Sequence, residues 1–331
     1  MKVCIFGAGA IGGHAAARMI STGVADVSII ARGPHLAMIR QRGLILRTEG
    51  AEIGGRPIAA SDDPGKLPRQ DLVIVTLKAH AQPAAAESIG RLVAPGGLTL
   101  FAMNGVPWWW KKGSAGAGPL ERIDPGGALW RAIGPERALG AVVNSSNHVV
   151  EPGVIVHAGA KRWTVGDPDV PDSERAQEVV NLFNAAGMEG VLTPDIRRDV
   201  WRKLMTNISG NPIAALTRLA GKDTPAVAGL DRVARKLVEE ALLVAAADGH
   251  DLRGEIMPES IVKPARGRFP GKPSMLQDVE AGRTLEAEAL MGQVQDFACA
   301  HGIPTPTIDT VFALLSGLNR SLRLARQRSE T

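Results

Sequence analysis

Absences narrow the reading first. Only Cys4 and Cys299 occur in 331 residues, and two thiols in an expected buried strand and an expected helix make no disulfide framework. No uncharged apolar run reaches the roughly 18 residues of a membrane span, and the chain enters a strand so early that no signal peptide is expected. A cytoplasmic protein with no membrane partner is the expectation. None of the seven histidines belongs to an H-E-x-x-H string, and neither G-x-S-x-G nor G-x-x-x-x-G-K-[ST] occurs. Zinc hydrolases, serine hydrolases and P-loop enzymes therefore lack their signatures, and no metal is expected. The net charge of +4 is too small to argue for nucleic acid, and Arg320, Arg323, Arg326 and Arg328 read as the solvated end of a basic helix. There is no internal repeat.

What is present begins at once. Val3 to Phe6 reads as a buried strand feeding Gly7-x-Gly9-x-x-Gly12, and Ala15 to Ile20 continues as a helix. In such a turn the first glycine lets the strand bend tightly, the second lets backbone approach a pyrophosphate, and the third lets helix and strand pack closely. The helix start then offers free N–H groups and positive dipole to phosphates. Gly7, Ala8, Gly9, Ala10, Ile11 and Gly12 are accordingly candidate cofactor-binding residues.

A chain of this length suggests two domains and can bury roughly three quarters of its unfolded surface. Short β-branched runs at Val27–Ala31, Leu72–Leu77, Leu98–Met103, Ala141–Val143 and Val154–Val156 alternate with helical stretches, which favours an α/β, doubly wound sheet of Rossmann type. A turn-rich segment, Gly166 to Ser173, marks the expected boundary, giving a nucleotide-binding domain over 1–168. Beyond it strand signals vanish. Apolar spacing of three and four, as in Val233, Leu237, Ala241 and Val244, predicts an all-α second domain over 173–331. Residues 107–135, with Trp108, Trp109 and Trp110, read as an inserted loop. Its tryptophans either line a substrate mouth or pack against the neighbouring domain or another subunit.

Several polar residues fall where chemistry would need them. Arg32 ends the second expected strand where NAD-selective folds carry an acid, and arginine there suits a 2′-phosphate; NADPH is the expected cofactor. Lys78 and Asn104 follow two further strands, and ligands of open sheets lie beyond such ends. In the second half Lys203, Asn207 and Asn211 stand at i, i+4 and i+8, fanning over roughly 80° of one helix face. Flanking Leu204, Met205, Ile208 and Ile213 imply partial burial, which lowers a lysine pKa and suits it to proton transfer. Pro212 is expected to kink or restart that helix. Ser274-x-x-Gln277 also reads as a capping box.

Together, the glycine fingerprint, Thr76-Leu77-Lys78, Asn104-Gly105, Lys203-x-x-x-Asn207-x-x-x-Asn211-Pro212, and Ser274 to Asp278 followed by Glu286 resemble the ketopantoate reductase family along almost the whole chain. The resemblance implies NADPH-dependent reduction of 2-dehydropantoate to D-pantoate, a step toward pantothenate, at a site between the two domains. It implies Lys203 as proton donor, Asn104, Asn207, Asn211 and Ser274 as substrate contacts, and Arg32, Lys78, Asn104 and Glu286 as cofactor contacts. Twelve residues of unbroken helix would hold Ser274 and Glu286 roughly 18 Å apart, so each would serve a different part of the site, or the helix begins later. A dual role, cap and substrate contact, is expected for Ser274. The chain departs from the family at Gly221 and Gly271, where many members have asparagine, and at Pro273, where a serine is common. Lys272 is either a second carboxylate contact or an exposed lysine. The alternatives are a reductase of another 2-oxo acid and an NADPH sensor without catalysis; a homodimer stays open.

Overall fold

The protein is described by a computed structural model over residues 1–114, 116–221, 223–262 and 272–330. Its strands are β1 (Lys2–Phe6), β2 (Asp26–Ile30), β3 (Leu44–Thr48), β4 (Ala51–Gly55), β5 (Ala59–Ser61), β6 (Gln70–Val75), β7 (Val93–Ala102), β8 (Ala138–Glu151), β9 (Val154–Gly166) and β10 (Glu189–Leu192). Its helices are α1 (Ala10–Thr22), α2 (Gly33–Arg42), α3 (Ala86–Leu92), α4 (Ala128–Ile133), α5 (Glu174–Ala185), α6 (Ile196–Thr217), α7 (Leu230–Ala247), α8 (Pro258–Val262), α9 (Ser274–Glu280), α10 (Gln293–Ala300) and α11 (Pro306–Glu330).

Four of the five residues of β1 are buried, as a strand covered on both faces requires. It lies between β2 and β6, parallel to both, with Ile5 opposite Ile29 and Ile74. The run β5-β2-β1-β6-β7-β8 is parallel throughout, and counting only those strands it has the 3-2-1-4-5-6 order of a doubly wound dinucleotide fold, which reverses between β1 and β6. Antiparallel β9 then extends the sheet from β8, and the β3–β4 hairpin and β10 join it there.

The sheet holds more strands than the sequence announces. Ala51–Gly55 carries one branched apolar residue and two glycines, so its composition reads as turn; pairing with β3 makes it a strand. Contrary to the expected loss of strands beyond residue 173, β10 runs parallel to β9, with Val191 opposite Thr164. Because α5 packs on β9 and β10, the first compact unit runs on to Asp199, and Asn104–Val106 belongs with the second unit.

The three tryptophans of the 107–135 segment do not line a mouth; they belong to the core of the first unit. Trp108, Trp109 and Trp110 are all buried. Trp108 meets Phe101 and Trp130 edge-on, with centroids 5.3 and 6.2 Å apart, a favoured geometry for aromatic pairs. Trp109 lies against Gly140, where any side chain would collide with its ring. Arg197 clamps the turn by donating to the carbonyls of Trp110, Lys112 and Pro168. Buried Lys112 pairs with Asp167 at 2.8 Å. Burial alone would raise the Asp167 pKa, but hydrogen bonds from Lys112, the Asp169 N–H and Arg175, with the lysine charge, hold it below the usual carboxylate value.

A polar spine sits beneath α1. Arg18 Nε donates to His14 Nε2 at 2.9 Å, so the proton of the neutral ring is on Nδ1. The guanidinium also reaches the Gly187 carbonyl and Thr48 Oγ1, whose hydroxyl lies 2.8 Å from His157 Nδ1. Burial, then the electrostatic influence of His157, Arg18 and Lys161, holds His14 down to about 3.

In the second unit Trp201 Nε1 donates to Asp248 at 3.1 Å and its ring lies against Phe297. Buried Glu240 accepts from the N–H groups of Thr307 and Ile308, capping the start of α11. No helix among the described residues is long and apolar enough to cross a membrane.

Since an unfolded histidine titrates near 6.5, the contribution of His14 is complete above that pH and is lost as pH falls toward about 3. Urea midpoints taken from pH 7 to 4 should reveal a loss to which His14 contributes about 3 kcal/mol. A His14→Gln chain, which keeps an acceptor for Arg18, should show a flatter acid limb.

Candidate functional site

In the first unit the candidate residues converge on the carboxyl ends of the central strands. Gly7 leaves β1 at φ +101°, a left-handed conformation that a side chain would strain. Its amide donates to Ile30 and its carbonyl accepts from Gly9 N–H at 2.9 Å and from the Thr76 hydroxyl. Gly12 faces that carbonyl and hydroxyl so closely that a Cβ would lie well inside van der Waals contact, whereas a Cβ on Gly9 would meet nothing within 4 Å. The third glycine thus seats the helix, and the second faces open space.

Gly9 caps α1 without a side-chain bond, and no acidic residue occupies the first turn. The amides of Ala10, Ile11 and Gly12 have no backbone acceptor among the described residues, as at any helix start. An open, electropositive turn of this kind fits the pyrophosphate of a dinucleotide. Arg32, exposed at the end of β2, is the N-cap of α2. Lys78 lies three residues past the end of β6, half-buried.

One residue that bonds to this turn, from α2, escaped sequence reading. His35 Nε2 lies 2.7 Å from the Ala8 carbonyl, and its Nδ1 accepts from the Gly153 N–H at 3.0 Å. Neither partner is near it in sequence, so no motif signals the contact.

In the second unit Lys203, Asn207 and Asn211 share a face of α6, with Asn207 buried and the other two half-buried. The helix does not restart at Pro212; it runs through to Thr217. Proline removes only the bond its own N–H would have made to Ile208, which an otherwise intact helix tolerates. Burial lowers the Lys203 pKa from its ordinary 10.5.

Asn104 joins this face: Asn207 Nδ2 donates to its Oδ1 at 3.3 Å. Its segment is docked on a π-helical turn, Glu288–Gly292, through the Val106 N–H, which donates to the Ala289 carbonyl at 2.9 Å. Gly105, at φ +83°, lets the two backbones touch; a Cβ there would overlap that carbonyl.

The remaining candidates lie on other elements. Ser274 is the exposed first residue of α9, whose cap is Pro273, and no capping bond forms; Gln277 Nε2 donates instead to the Lys272 carbonyl. The expected cap role of Ser274 is therefore absent. Because α9 ends at Glu280, buried Glu286 lies in a separate segment before the π-helical turn, and no single helix joins it to Ser274. Lys272 is ion-paired with Glu280 at 2.7 Å. A Cβ on Gly221 would meet nothing within 4 Å, and Gly271 lies outside the described residues. No group of three or more metal-ligating side chains occurs among the described residues.

The family model for ketopantoate reductase PanE/ApbA matches residues 3–169, and that for its C-terminal domain matches 195–319. A 2-dehydropantoate 2-reductase of Mesorhizobium japonicum is 40% identical over 325 residues, covering 96% of this chain and 98% of that protein.

The chain belongs to the ketopantoate reductase family. These are oxidoreductases acting on a CH–OH/C=O pair with a nicotinamide cofactor. Among solved structures, a PanE/ApbA family ketopantoate reductase from Ralstonia eutropha is similar at a TM-score of 0.82 and 25% identity, covering 98% of this chain and 100% of that one. A D-mandelate dehydrogenase solved with NADH and anilino(oxo)acetate matches at a TM-score of 0.82 and 18% identity, covering 98% and 99%. At that identity the likeness concerns the fold alone.

Gly12→Ala must displace the Gly7 carbonyl or the Thr76 hydroxyl and should cost about 1–3 kcal/mol of stability. Gly9→Ala has room and should stay within about 0.5 kcal/mol of the parent. Thermal unfolding of the two variants side by side checks the contrast.

Proposed function

We propose that this protein reduces a 2-oxo acid with NADPH, 2-dehydropantoate to D-pantoate being the leading substrate. The observation that carries the reading is the desolvated amine of Lys203, its pKa lowered by burial, on a helix face shared with Asn207 and Asn211 in a chain of this family. When bound, the nicotinamide supplies the hydride that reduces the carbonyl carbon.

The side chains have complementary tasks. The Lys203 ammonium stabilises negative charge developing on the carbonyl oxygen and then gives that oxygen its proton. Its lowered pKa makes proton release easier than from a solvated lysine. Asn207, Asn211 and Ser274 offer donors for the substrate carboxylate and hydroxyl, and Asn104 orients Asn207 while touching substrate and cofactor. Gly7 to Gly12 receive the pyrophosphate, Arg32 the 2′-phosphate that distinguishes NADPH from NADH, and Lys78 and Glu286 other parts of the dinucleotide.

A second reading keeps the reaction and changes the acid. Gly221 offers no side chain where many family members carry an asparagine, which leaves a different, larger or more branched 2-oxo acid as the alternative substrate. An NADPH sensor is disfavoured, because a sensor has no use for a proton donor at position 203.

NADPH absorbance decay with a panel of 2-oxo acids tests the proposal, and ketopantoate should be turned over. Lys203→Ala should lower kcat about 10²–10⁴-fold with NADPH affinity unchanged; unaltered turnover would remove Lys203 from the chemistry. Reduction needs the ammonium form, so its rate should fall as pH rises through a value below 10.5. Arg32→Ala should weaken NADPH binding and leave NADH binding nearly intact.

A further inference from the structure

We infer that His35 is a positioning residue for the dinucleotide: its imidazole holds the Ala8 carbonyl and so fixes the peptide plane at the glycine turn. This rests on the proposed reading of that turn as the NADPH site.

The tautomer follows from the partners. A backbone N–H only donates, so the ring nitrogen facing Gly153 is bare, and the one proton of the neutral ring lies on Nε2, aimed at the Ala8 carbonyl. Burial lowers the His35 pKa, against the opposing pull of that carbonyl. The anchor is itself held. Gly153, in the turn between β8 and β9, accepts from the Ile45 N–H of β3 at 2.9 Å. Three hydrogen bonds in series thus run from β3 through Gly153 and His35 to Ala8.

The consequence is electrostatic. A phosphate is attracted by N–H groups and repelled by carbonyl oxygens, so a binding turn must keep its carbonyls tied back while its amides face outward. In this turn the Gly7 carbonyl is taken by Thr76 and Gly9 N–H, and the Ala8 carbonyl by His35. Without the imidazole that peptide plane is held only at its other end, by the Gly9 N–H on the Gly7 carbonyl, and its oxygen can tilt toward the anion. The loss falls on binding rather than on hydride or proton transfer.

Fluorescence titration of the full chain with NADPH, with kcat at saturating NADPH and the melting temperature, tests this. His35→Ala should raise the Kd about tenfold while kcat and melting temperature change little, and His35→Gln, which keeps a donor, should recover most of the affinity. If alanine prevents folding, His35→Gln against His35→Met carries the same comparison, since both fill space and only glutamine donates. Equal affinity of donor and non-donor variants, or an affinity loss matched by an equal loss of kcat, overturns the inference. Failure of the parent chain to bind NADPH overturns the underlying reading as well, and is told apart by that control alone.

Discussion

The approach of α1 to β1 at Gly12 sets the geometry on which the rest of the first unit depends. With no side chain at that position, the helix backbone settles against the Gly7 carbonyl and the Thr76 hydroxyl, and its opening turn is brought to the ends of β1 and β6. That is where the strand order reverses and where the fold leaves a crevice. The carbonyls of Gly7 and Ala8 are engaged by separate partners, Thr76 and His35. What the turn shows outward is therefore amide, and a ligand with dispersed negative charge is the complement of that surface.

The second unit solves a different problem, the placing of an amine where water does not level its basicity. Apolar Leu204, Met205 and Ile208 on the same helix are buried around the polar stripe, and the cost of desolvating an ammonium group is expressed as an easier loss of its proton. The stripe is completed from elsewhere in the chain. The Ala289 carbonyl, in a π-helical turn, accepts from Val106. Such widened turns recur where a helix makes room for function.

Legibility from sequence followed the range of the interactions. The strand–glycine–helix opening and the Lys203, Asn207, Asn211 stripe are local, each written within a dozen residues, and the helix period alone groups the latter. β3 and β10 pair with β9, far away in sequence, and β4, weak in strand composition, is held by its pairing with β3. The tryptophans of 108–110 could be read as apolar, but what they pack against, Phe101, Trp130 and Gly140, is a tertiary matter. His35 bonds residues 27 and 118 positions away and leaves no periodic trace. Ser274-x-x-Gln277 illustrates the converse: a pattern compatible with a cap does not form one when proline takes the cap position and the helix begins at the serine itself.

The segment Asn104–Val106 follows the fifth strand of the parallel run, yet its contacts belong to the helical unit. The helical unit is thus not a contiguous stretch of polypeptide. A C-terminal fragment beginning anywhere after Asp199 lacks the amide that pairs with Asn207 and the N–H that satisfies Ala289. Recombination that exchanged C-terminal halves between relatives would have to carry a matching turn inside the N-terminal half. The two halves of the gene are in this respect bound to diverge together.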